Sequence, residues 1–199
     1  MKWNTTYLSV RKLAMTAMLG AVASVLMLIE FPIPFLIPSF VKMDISELPA
    51  LIASFSIGPV SGVVVCLIKN LVNLPFTGSG GSGELCNFLL GCAFVIPAGV
   101  IYRLKKTRVG ALIGSLCGAA CMALISFPLN LFITYPFYSQ FMPIETILQQ
   151  YQALIPAVNS LEACLLIFNL PFTLLKGLLA TALTFLVYKP LARFIKGSA

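Results

Sequence analysis

Hydrophobic residues occur along this chain in long runs, and polar residues are concentrated in the short segments between them. A helix of about 20 mostly apolar residues is long enough to cross the hydrocarbon core of a bilayer. We therefore predict helices at about Leu13–Ile29, from Asp44 or Ser46 to about Ile57, at Val60–Leu74, Glu84–Tyr102 and Val109–Tyr135, and from Asn169 to Tyr188–Pro190. The second of these is short for a full span. The pattern predicts an all-α membrane protein with six transmembrane helices in a single domain, residues 1–199.

The segment from Phe31 to Pro49 separates the first two predicted helices and cannot itself be a membrane helix. It contains several prolines, which remove backbone donors and favour extended conformations in the residues before them. Aromatic and aliphatic residues nevertheless dominate it, with only three charged residues among them. We predict a stiff apolar lid over a ligand with polar edges. At its end Asp44 or Ser46 caps the next helix, with Glu47 in the first turn.

Composition and charge placement support the membrane assignment and exclude a nucleic-acid-binding protein. The chain is 59% hydrophobic and 10% charged, whereas soluble domains average about 25% charged residues. Of the thirteen basic residues, three lie in residues 2–12, four in 103–108 and three in 189–196. Such clusters next to predicted helices follow the positive-inside rule. They predict that both termini and the 103–108 loop are cytoplasmic, and that the acidic residues lie on or near the outer side.

Polar residues inside the predicted spans are the strongest functional signal. Asn169, Thr173 and Lys176 follow the helical spacing i, i+4, i+7, so they form one polar stripe on an otherwise apolar helix. Polar side chains in a membrane are costly unless they pair, bind a ligand or hydrogen-bond another helix. Both a ligand site and helix–helix hydrogen bonding fit this stripe. Asn130 and Thr134 share a face near the outer end of the fifth helix.

Lys69 and Asn73 also share a helix face, and the lysine either pairs or binds a ligand, or else extends to the membrane surface. We expect Lys69 in the outer half of the protein, beside a pocket that opens outwards. Residues Thr77–Gly83 predict a flexible outer loop. After it, Glu84 and Asn87 lie one turn apart, where Glu84 either stabilises the helix dipole or contacts the ligand. We place Pro136–Phe168 outside or at the interface, with a cap for a short helix at Asn159–Glu162.

Small residues at four-residue spacing predict two close-packed helix faces. One carries Gly110, Gly114 and Gly118 on the fifth helix, and the other carries Ala14, Ala17, Ala21 and Ser24 on the first. Small residues let helices approach closely in lipid. The alanine face therefore packs either within this chain or against another membrane protein.

The candidate pocket residues are suited to binding rather than to catalysis. The chain has no histidine, which excludes Ser-His-Asp chemistry and the common zinc sites, and no pair resembles a nucleophile and its base. We expect neither an enzyme nor a bound cofactor. Aromatic walls with amide, hydroxyl and ammonium groups suit a flat heteroaromatic solute that carries carbonyl acceptors, ring N–H donors and a hydroxylated tail.

Four runs in this chain resemble a known family. They are Lys42–Ile52 (KMDISELPALI), Gly58-Pro59 with Gly62, Ile68–Leu71 (IKNL) and Gly83–Gly91 (GELCNFLLG), and the likeness extends to Arg11–Met18 (RKLAMTAM) and Pro171–Gly177 (PFTLLKG). Together they resemble the riboflavin-binding substrate component, or S component (RibU type), of energy-coupling-factor (ECF) vitamin transporters. The resemblance covers most of the chain.

The resemblance implies a six-helix S-component fold in the plasma membrane of a prokaryote, which binds riboflavin from outside. It also implies partners, namely a transmembrane coupling subunit and two cytoplasmic ATPases that drive uptake. In this family the alanine face of the first helix, here Ala14, Ala17 and Ala21, docks on the coupling subunit. Asn130 and Lys176 match positions that contact the flavin. Thr173 stands where the family often has asparagine, and we expect Asn169 to compensate.

The candidate ligand-binding residues from these arguments are Phe40, Val41, Met43, Asp44, Leu48, Glu84, Asn87, Asn130, Tyr135, Asn169, Thr173 and Lys176. Three alternatives remain open. The first is an S component for another vitamin, and the second is a membrane scaffold subunit, which would not need the polar stripe. The third is a stand-alone secondary transporter, which would favour internal repeats that this sequence does not display.

Overall fold

The computed structural model describes residues 10–140, 143–156 and 158–196, with side chains described as far as residue 187. The predicted cytoplasmic charges at Lys2 and on the side chains of Lys189, Arg193 and Lys196 lie outside the described part. The helices are α1 (Val10–Leu28), α2 (Glu47–Ser56), α3 (Pro59–Asn73), α4 (Ser82–Leu104), α5 (Arg108–Leu129), α6 (Tyr135–Tyr138), α7 (Ile144–Gln152), α8 (Leu161–Cys164) and α9 (Leu170–Lys196). A 3₁₀ turn, Leu74–Phe76, follows α3.

The prediction of an all-helical membrane fold is confirmed, although the described residues contain five helices long enough to span a bilayer. These helices are Val10–Leu28, Pro59–Phe76, Ser82–Leu104, Arg108–Tyr138 and Leu161–Val187. The predicted second helix forms as α2, but its ten residues extend over only about 15 Å. That is about half of the hydrocarbon thickness of roughly 30 Å.

Helix α2 lies at the centre of the molecule, and its apolar residues Ala50, Leu51 and Ala53 are completely buried. It contacts α1, α3, α4 and α9. Its first residue, Glu47, accepts a hydrogen bond from Lys69 Nζ of α3 at 2.6 Å, and both side chains are fully buried. Lys69 is therefore paired inside the bundle and does not extend to the membrane surface.

The glycine face of α5 packs against α4, as its spacing predicts. A Cβ atom on Gly114 would lie 2.7 Å from the carbonyl oxygen of Ala98, and one on Gly118 would lie 2.4 Å from that of Phe94. These distances are too short for any side chain. Gly110 differs, because its nearest neighbour is the carbonyl oxygen of Lys105 in the turn before α5.

Two π-helical segments interrupt the long helices on the side of the lid. Asn130–Thr134 joins α5 to α6, and Leu165–Asn169 joins α8 to α9. Pro136 and Pro171 each follow two positions after such a segment. Proline removes a hydrogen-bond donor and clashes with the carbonyl of residue i−4, and the wider π turn relieves both problems.

The predicted start and end of the last span are wrong. The helix begins at Leu161, where the Ser160 hydroxyl caps it by accepting from the Ala163 amide, so Asn169 is an internal residue and not a cap. The capping residue is also Ser160 and not Asn159. The helix continues to Lys196, beyond the predicted end near Tyr188–Pro190.

The face of α1 that carries Ala14, Ala17 and Ala21 is exposed in the described structure. The opposite face, with Thr16, Gly20, Ala23, Ser24 and Met27, is buried against the bundle. Packing within this chain therefore does not explain the alanine spacing. Ser24 belongs to the buried face, contrary to the prediction.

Residues 31–46 of the predicted lid form a compact loop between α1 and α2, and Glu47–Pro49 already belong to α2. The ends of the loop pair as two short antiparallel strands, β1 (Phe31–Pro32) and β2 (Lys42–Met43), in which Phe31 is opposite Met43. Backbone hydrogen bonds from Leu36 and Ile37 to the carbonyl of Ile33 close a turn between the strands. The proline-rich segment is thus an ordered hairpin rather than a free loop.

Candidate ligand-binding site

A cavity of about 470 Å³ lies beneath the lid, between α3, α4, the two π-helical segments and α9. Its walls combine aromatic side chains with amide, hydroxyl and charged groups. The residues that line it and that the sequence analysis selected are Phe40, Val41, Asp44, Glu84, Asn87, Asn130, Tyr135, Asn169, Thr173 and Lys176. The tertiary structure therefore brings together polar residues that are far apart in the sequence, from Asp44 to Lys176.

Two of the selected residues, Met43 and Leu48, do not line the cavity. Met43 is 2% exposed and packs in an apolar cluster with Tyr135 and Tyr151, because its side chain leaves the lid strand on the face away from the cavity. Leu48 is half-buried in the first turn of α2, and its side chain is not part of the cavity lining. Lys69 is also outside the lining, and its ammonium group is paired with Glu47 in the centre of the bundle.

Asp44 and Lys176 join the lid to α9 by a buried ion pair. Lys176 Nζ donates to Asp44 Oδ2 at 2.7 Å, and the two side chains are 9% and 5% exposed. Asp44 Oδ1 accepts from the amide of Ser46 at 2.8 Å and also from its hydroxyl. Asp44 thus stabilises the chain just before α2 through an Asx turn, although Ser46 itself makes no side-chain cap.

The same network extends behind the cavity to the pair at the centre of the bundle. Lys69 Nζ donates to Ser46 Oγ at 2.7 Å as well as to Glu47. Burial by itself raises the pKa of Asp44, but the ammonium groups of Lys176 and Lys69 outweigh it and hold that pKa well below its ordinary value. Two carboxylates and two ammonium groups therefore neutralise one another along this network.

A closed ring of hydrogen bonds holds Asn169 at the cavity wall. Tyr151 of α7 donates its hydroxyl to Asn169 Oδ1 at 2.7 Å, and Asn169 Nδ2 donates to the Tyr135 hydroxyl at 3.3 Å. The two tyrosine hydroxyls are 2.5 Å apart. Burial raises the pKa of Tyr151 well above its ordinary value, so the ring is neutral. The remaining N–H of Asn169 is available as a donor to a ligand.

Glu84 is the buried carboxylate of a second polar group in the cavity. Its Oε1 accepts from Asn73 Nδ2 at 3.1 Å and its Oε2 accepts from the Ser79 hydroxyl at 2.9 Å. Ser79 belongs to the Thr77–Gly83 loop, and its hydroxyl also accepts from the amide of Gly83 at 3.1 Å. The predicted flexible outer loop is thus tied down by hydrogen bonds and forms part of the cavity wall.

Some polar atoms at the cavity have no partner within the described part of the chain. Asn87 Oδ1 and Thr134 Oγ1 are buried and make no hydrogen bond there. Asn130 uses one N–H to donate to the carbonyl of Ser126 at 2.8 Å, which leaves its other N–H free for a ligand. Because buried polar groups are almost always satisfied, these atoms point to a polar solute.

The rim and the aromatic walls include residues that the sequence analysis did not select. Glu30 and Lys42 form an ion pair at the rim, and Tyr138, Phe172, Asn73 and Ser79 line the interior. Tyr151 acts from outside the cavity through Asn169. Among these, only Asn73 had a local signal, its helical spacing from Lys69. Residue type alone does not distinguish the other side chains from ordinary packing residues.

The chemistry of the site is that of recognition. The cavity presents donors from Asn130, Asn169 and Thr173, and acceptors from Asn87 and Glu84, around aromatic surfaces. Within the described residues, no group of three or more His, Cys, Asp or Glu side chains is placed to hold a metal ion. Such an arrangement selects a solute by matched hydrogen bonds.

Comparisons with known proteins agree on one family. The family model "ECF transporter, substrate-specific component" matches residues 11–188. The riboflavin transporter RibU of Staphylococcus aureus (strain TCH60) is 33% identical over 186 residues, which cover 94% of this chain and 93% of the relative. The riboflavin transporter FmnP of Bacillus subtilis (strain 168) is 30% identical over 192 residues, which cover 95% and 96% of the two chains.

A solved structure supports the same assignment at the level of the fold. It is described as "Structure and mechanism of the S component of a bacterial ECF transporter", and its TM-score with this chain is 0.73 at 32% identity. The similarity covers 94% of this chain and 98% of that one. With matched residues that include the lid, the π-helical segments and α9, this chain belongs to the substrate-specific components of ECF transporters.

Proposed function

We propose that this chain is the riboflavin-binding component of an ECF transporter and that it captures riboflavin from outside the cell. The observation that carries the proposal is the cavity itself, in which the lysines are already paired and the unpaired groups are neutral amides, a hydroxyl and one carboxylate. Such a site favours a neutral solute with many hydrogen-bonding groups. The relatives named above are riboflavin transporters, which supports the choice of this vitamin.

The walls of the cavity suit the two parts of riboflavin. Phe40, Tyr138 and Phe172 offer apolar surface to a planar ring system. Asn130 and Asn169 each keep an N–H for ring carbonyl oxygens, and Asn87 Oδ1 is a free acceptor for a ring N–H. The volume of about 470 Å³ lies in the range of about 300–1,000 Å³ that is usual for small-molecule pockets.

The membrane arrangement in this proposal has six transmembrane segments, with α2 as a short sixth helix buried among the five long ones. The basic clusters support an orientation in which both termini and the 103–108 loop lie in the cytoplasm. The lid and cavity then face outwards. In this arrangement the protein is a multi-pass subunit of a prokaryotic plasma membrane.

The proposed function also requires partner subunits. The sequence contains no nucleotide-binding motif, so uptake against a gradient depends on two cytoplasmic ATPases and a transmembrane coupling subunit. The exposed alanine face of α1, with Ala14, Ala17 and Ala21, is suited to close contact with a helix of the coupling subunit. The chain itself acts as a binding protein and not as an enzyme.

A flavin titration of the protein in detergent tests the proposal. We expect added riboflavin to lose its fluorescence on binding, and the purified protein to have a flavin absorption band if the vitamin is retained. Asn130→Ala removes a cavity donor and should weaken binding by about 1–3 kcal/mol. Asn70→Ala is the matched control, because Asn70 is buried outside the cavity and bonds to the carbonyl of Cys66.

The same titration separates the alternatives. Unlabelled thiamine, biotin or folate should not displace riboflavin from the wild-type protein. Displacement by one of them, without binding of riboflavin itself, would identify an S component for another vitamin. Protein that binds none of these compounds and assembles with no ATPase module would instead favour a membrane scaffold subunit.

A further inference from the structure

The end of the bundle opposite the cavity carries four cations that no carboxylate of the described residues neutralises. Arg103, Lys105, Lys106 and Arg108 lie within six residues where α4 turns into α5, and all four are exposed. The ion pairs of the described chain do not include them. Residues 85–144 contain no acidic residue at all. Something outside the chain must therefore balance this charge.

The turn that carries these cations is ordered. The amide of Thr107 donates to the carbonyl of Lys105 at 2.8 Å, and the Thr107 hydroxyl accepts from the amide of Gly110 at 3.0 Å. The Arg103 guanidinium lies against Gly58, in the turn between α2 and α3, where any Cβ atom would collide with it. An ordered backbone presents the cations at fixed spacing, which reduces the entropy lost when they bind a partner.

Apolar side chains are exposed beside the cations. Leu104 is 80% exposed and Val109 is 65% exposed, and Val60, just after the turn between α2 and α3, is 70% exposed. The cations lie between two helices that are long enough to span a bilayer, Ser82–Leu104 and Arg108–Tyr138. Basic and apolar groups therefore alternate at the point where these helices leave the hydrocarbon.

We propose that residues 103–108 bind the headgroups of anionic phospholipids in the leaflet at this end of the bundle. Lipid phosphate oxygens accept hydrogen bonds from the lysine and arginine side chains, while the acyl chains cover Leu104 and Val109. The first turn of α5 contains Arg108 and no acidic residue, so the positive end of the helix dipole adds to the attraction. A free phosphate would use the cations but leave the apolar side chains uncovered.

This inference goes beyond the proposed function. It uses the proposed orientation only to identify the leaflet as the cytoplasmic one, and it involves neither the cavity nor riboflavin. Glu84, which lines the cavity, precedes Arg103 by nineteen positions on α4, which corresponds to roughly 28 Å along the helix axis. Lipid binding and riboflavin binding can therefore fail separately.

The test is native mass spectrometry of the full chain in detergent, titrated with three probes. These are phosphatidylglycerol, phosphatidylcholine with the same acyl chains, and sn-glycerol 3-phosphate, which has a phosphate and no acyl chains. The measured quantity is the dissociation constant of the first adduct. Each basic residue near an anionic membrane surface improves binding by roughly fivefold. We therefore expect a preference for phosphatidylglycerol over phosphatidylcholine of at least about tenfold, and weaker binding of glycerol phosphate.

Three double variants assign the preference to the turn. Lys105→Gln/Lys106→Gln removes two exposed charges and should reduce the preference by about tenfold or more. Lys105→Arg/Lys106→Arg keeps both charges and should retain it. Thr146→Glu/Gln149→Glu lowers the net charge by the same amount at two exposed positions of α7, which packs near the lid, and should leave the preference unchanged. Riboflavin affinity should be the same in all three, which shows that they fold.

Several results would overturn the inference while leaving the proposed function intact. One is wild-type protein that binds the two phospholipids equally, and another is an unchanged preference in Lys105→Gln/Lys106→Gln. Glycerol phosphate that binds as tightly as phosphatidylglycerol would indicate a site for a soluble phosphate compound instead of a lipid. A lost preference in Thr146→Glu/Gln149→Glu would show that net charge, and not this turn, attracts the lipid. Conversely, protein that prefers phosphatidylglycerol but binds no riboflavin would refute only the proposed function.

Discussion

The ion pair between Asp44 and Lys176 links the lid directly to the last membrane helix, and we predict that breaking it opens the site. The variant is Lys176→Met, which keeps an apolar chain of similar length and removes the ammonium group. Asp44 then stays buried with Oδ2 unpaired, although Oδ1 still accepts from Ser46. The lid loses the one ion pair that connects it to α9 in the described structure.

The expected magnitude follows from the burial of the pair. Removing one partner of a buried ion pair generally costs about 3–5 kcal/mol, because the other charge is left without compensation. Asp44 retains its two hydrogen bonds to Ser46, and Lys69 is close by, so we expect the lower end, about 3 kcal/mol. For a chain of this size that loss lowers the melting temperature by roughly 6–12 °C.

The assay combines a thermal melt in detergent without ligand and a riboflavin titration. The matched control is the double variant Asp44→Asn/Lys176→Met, which removes both charges and keeps the acceptor for Ser46. A buried ion pair can often be replaced by neutral residues. The free energy of unfolding of the double variant should therefore lie within about 1 kcal/mol of the wild-type value. Any loss of affinity that remains in it, about 1–3 kcal/mol, measures direct contact of Lys176 with the ligand.

One result would refute this reasoning. If Lys176→Met melts at the wild-type temperature and binds riboflavin with the wild-type affinity, the pair holds neither the lid nor the ligand. A double variant that is less stable than the single one would also contradict it, because the two substitutions would then act independently.

Two further substitutions test the positioning of Asn169 and the packing of α4 on α5. Tyr151 does not line the cavity, but Tyr151→Phe leaves the buried Asn169 Oδ1 without its donor. We therefore expect the binding free energy of riboflavin to weaken by about 1–3 kcal/mol. Tyr102→Phe, at a ring that packs on Phe55, is the control for this titration, and equal affinities in the two variants would contradict the role of Tyr151. Gly118→Ala places a Cβ 2.4 Å from the carbonyl oxygen of Phe94 and should destabilise the protein by about 1–3 kcal/mol in a thermal melt. Gly78→Ala meets no atom within 4 Å and should melt as the wild type does, whereas equal melting of both variants would refute the close packing.

Local patterns predicted the helices well, because a span requires a continuous apolar run whose length is set by the bilayer. The observed α3 and α4 begin and end within about two residues of the predictions. The last span was placed eight residues late because Asn169 and Pro171 resemble a helix start. The π-helical segment Leu165–Asn169 allows Asn169 and Pro171 to lie inside one continuous helix. Its change of hydrogen-bond spacing from four residues to five has no simple signal in composition.

Ten of the twelve predicted ligand-binding residues line the cavity, and the two failures have a physical reason. Neighbouring residues of a strand point to opposite faces, so Lys42 of β2 lines the cavity while Met43 packs in the apolar cluster. Leu48 lies in α2, whose rotation is set by the packing of the bundle. Neither direction can be assigned until the fold places the strand and the helix against their neighbours.

The sequence by itself determined that this chain is a helical membrane protein, that a proline-rich lid follows its first helix, and that buried polar groups need partners. These conclusions depend on composition and on periodicity over a few turns, which any stretch of chain carries with it. Only the tertiary structure decided which groups are partners. Lys176 pairs with Asp44 across 132 residues, and Lys69 pairs with Glu47 across 22. Hydrocarbon makes an unpaired charge costly wherever it lies, but that cost does not depend on sequence separation, so the choice of partner is visible only once the helices are packed.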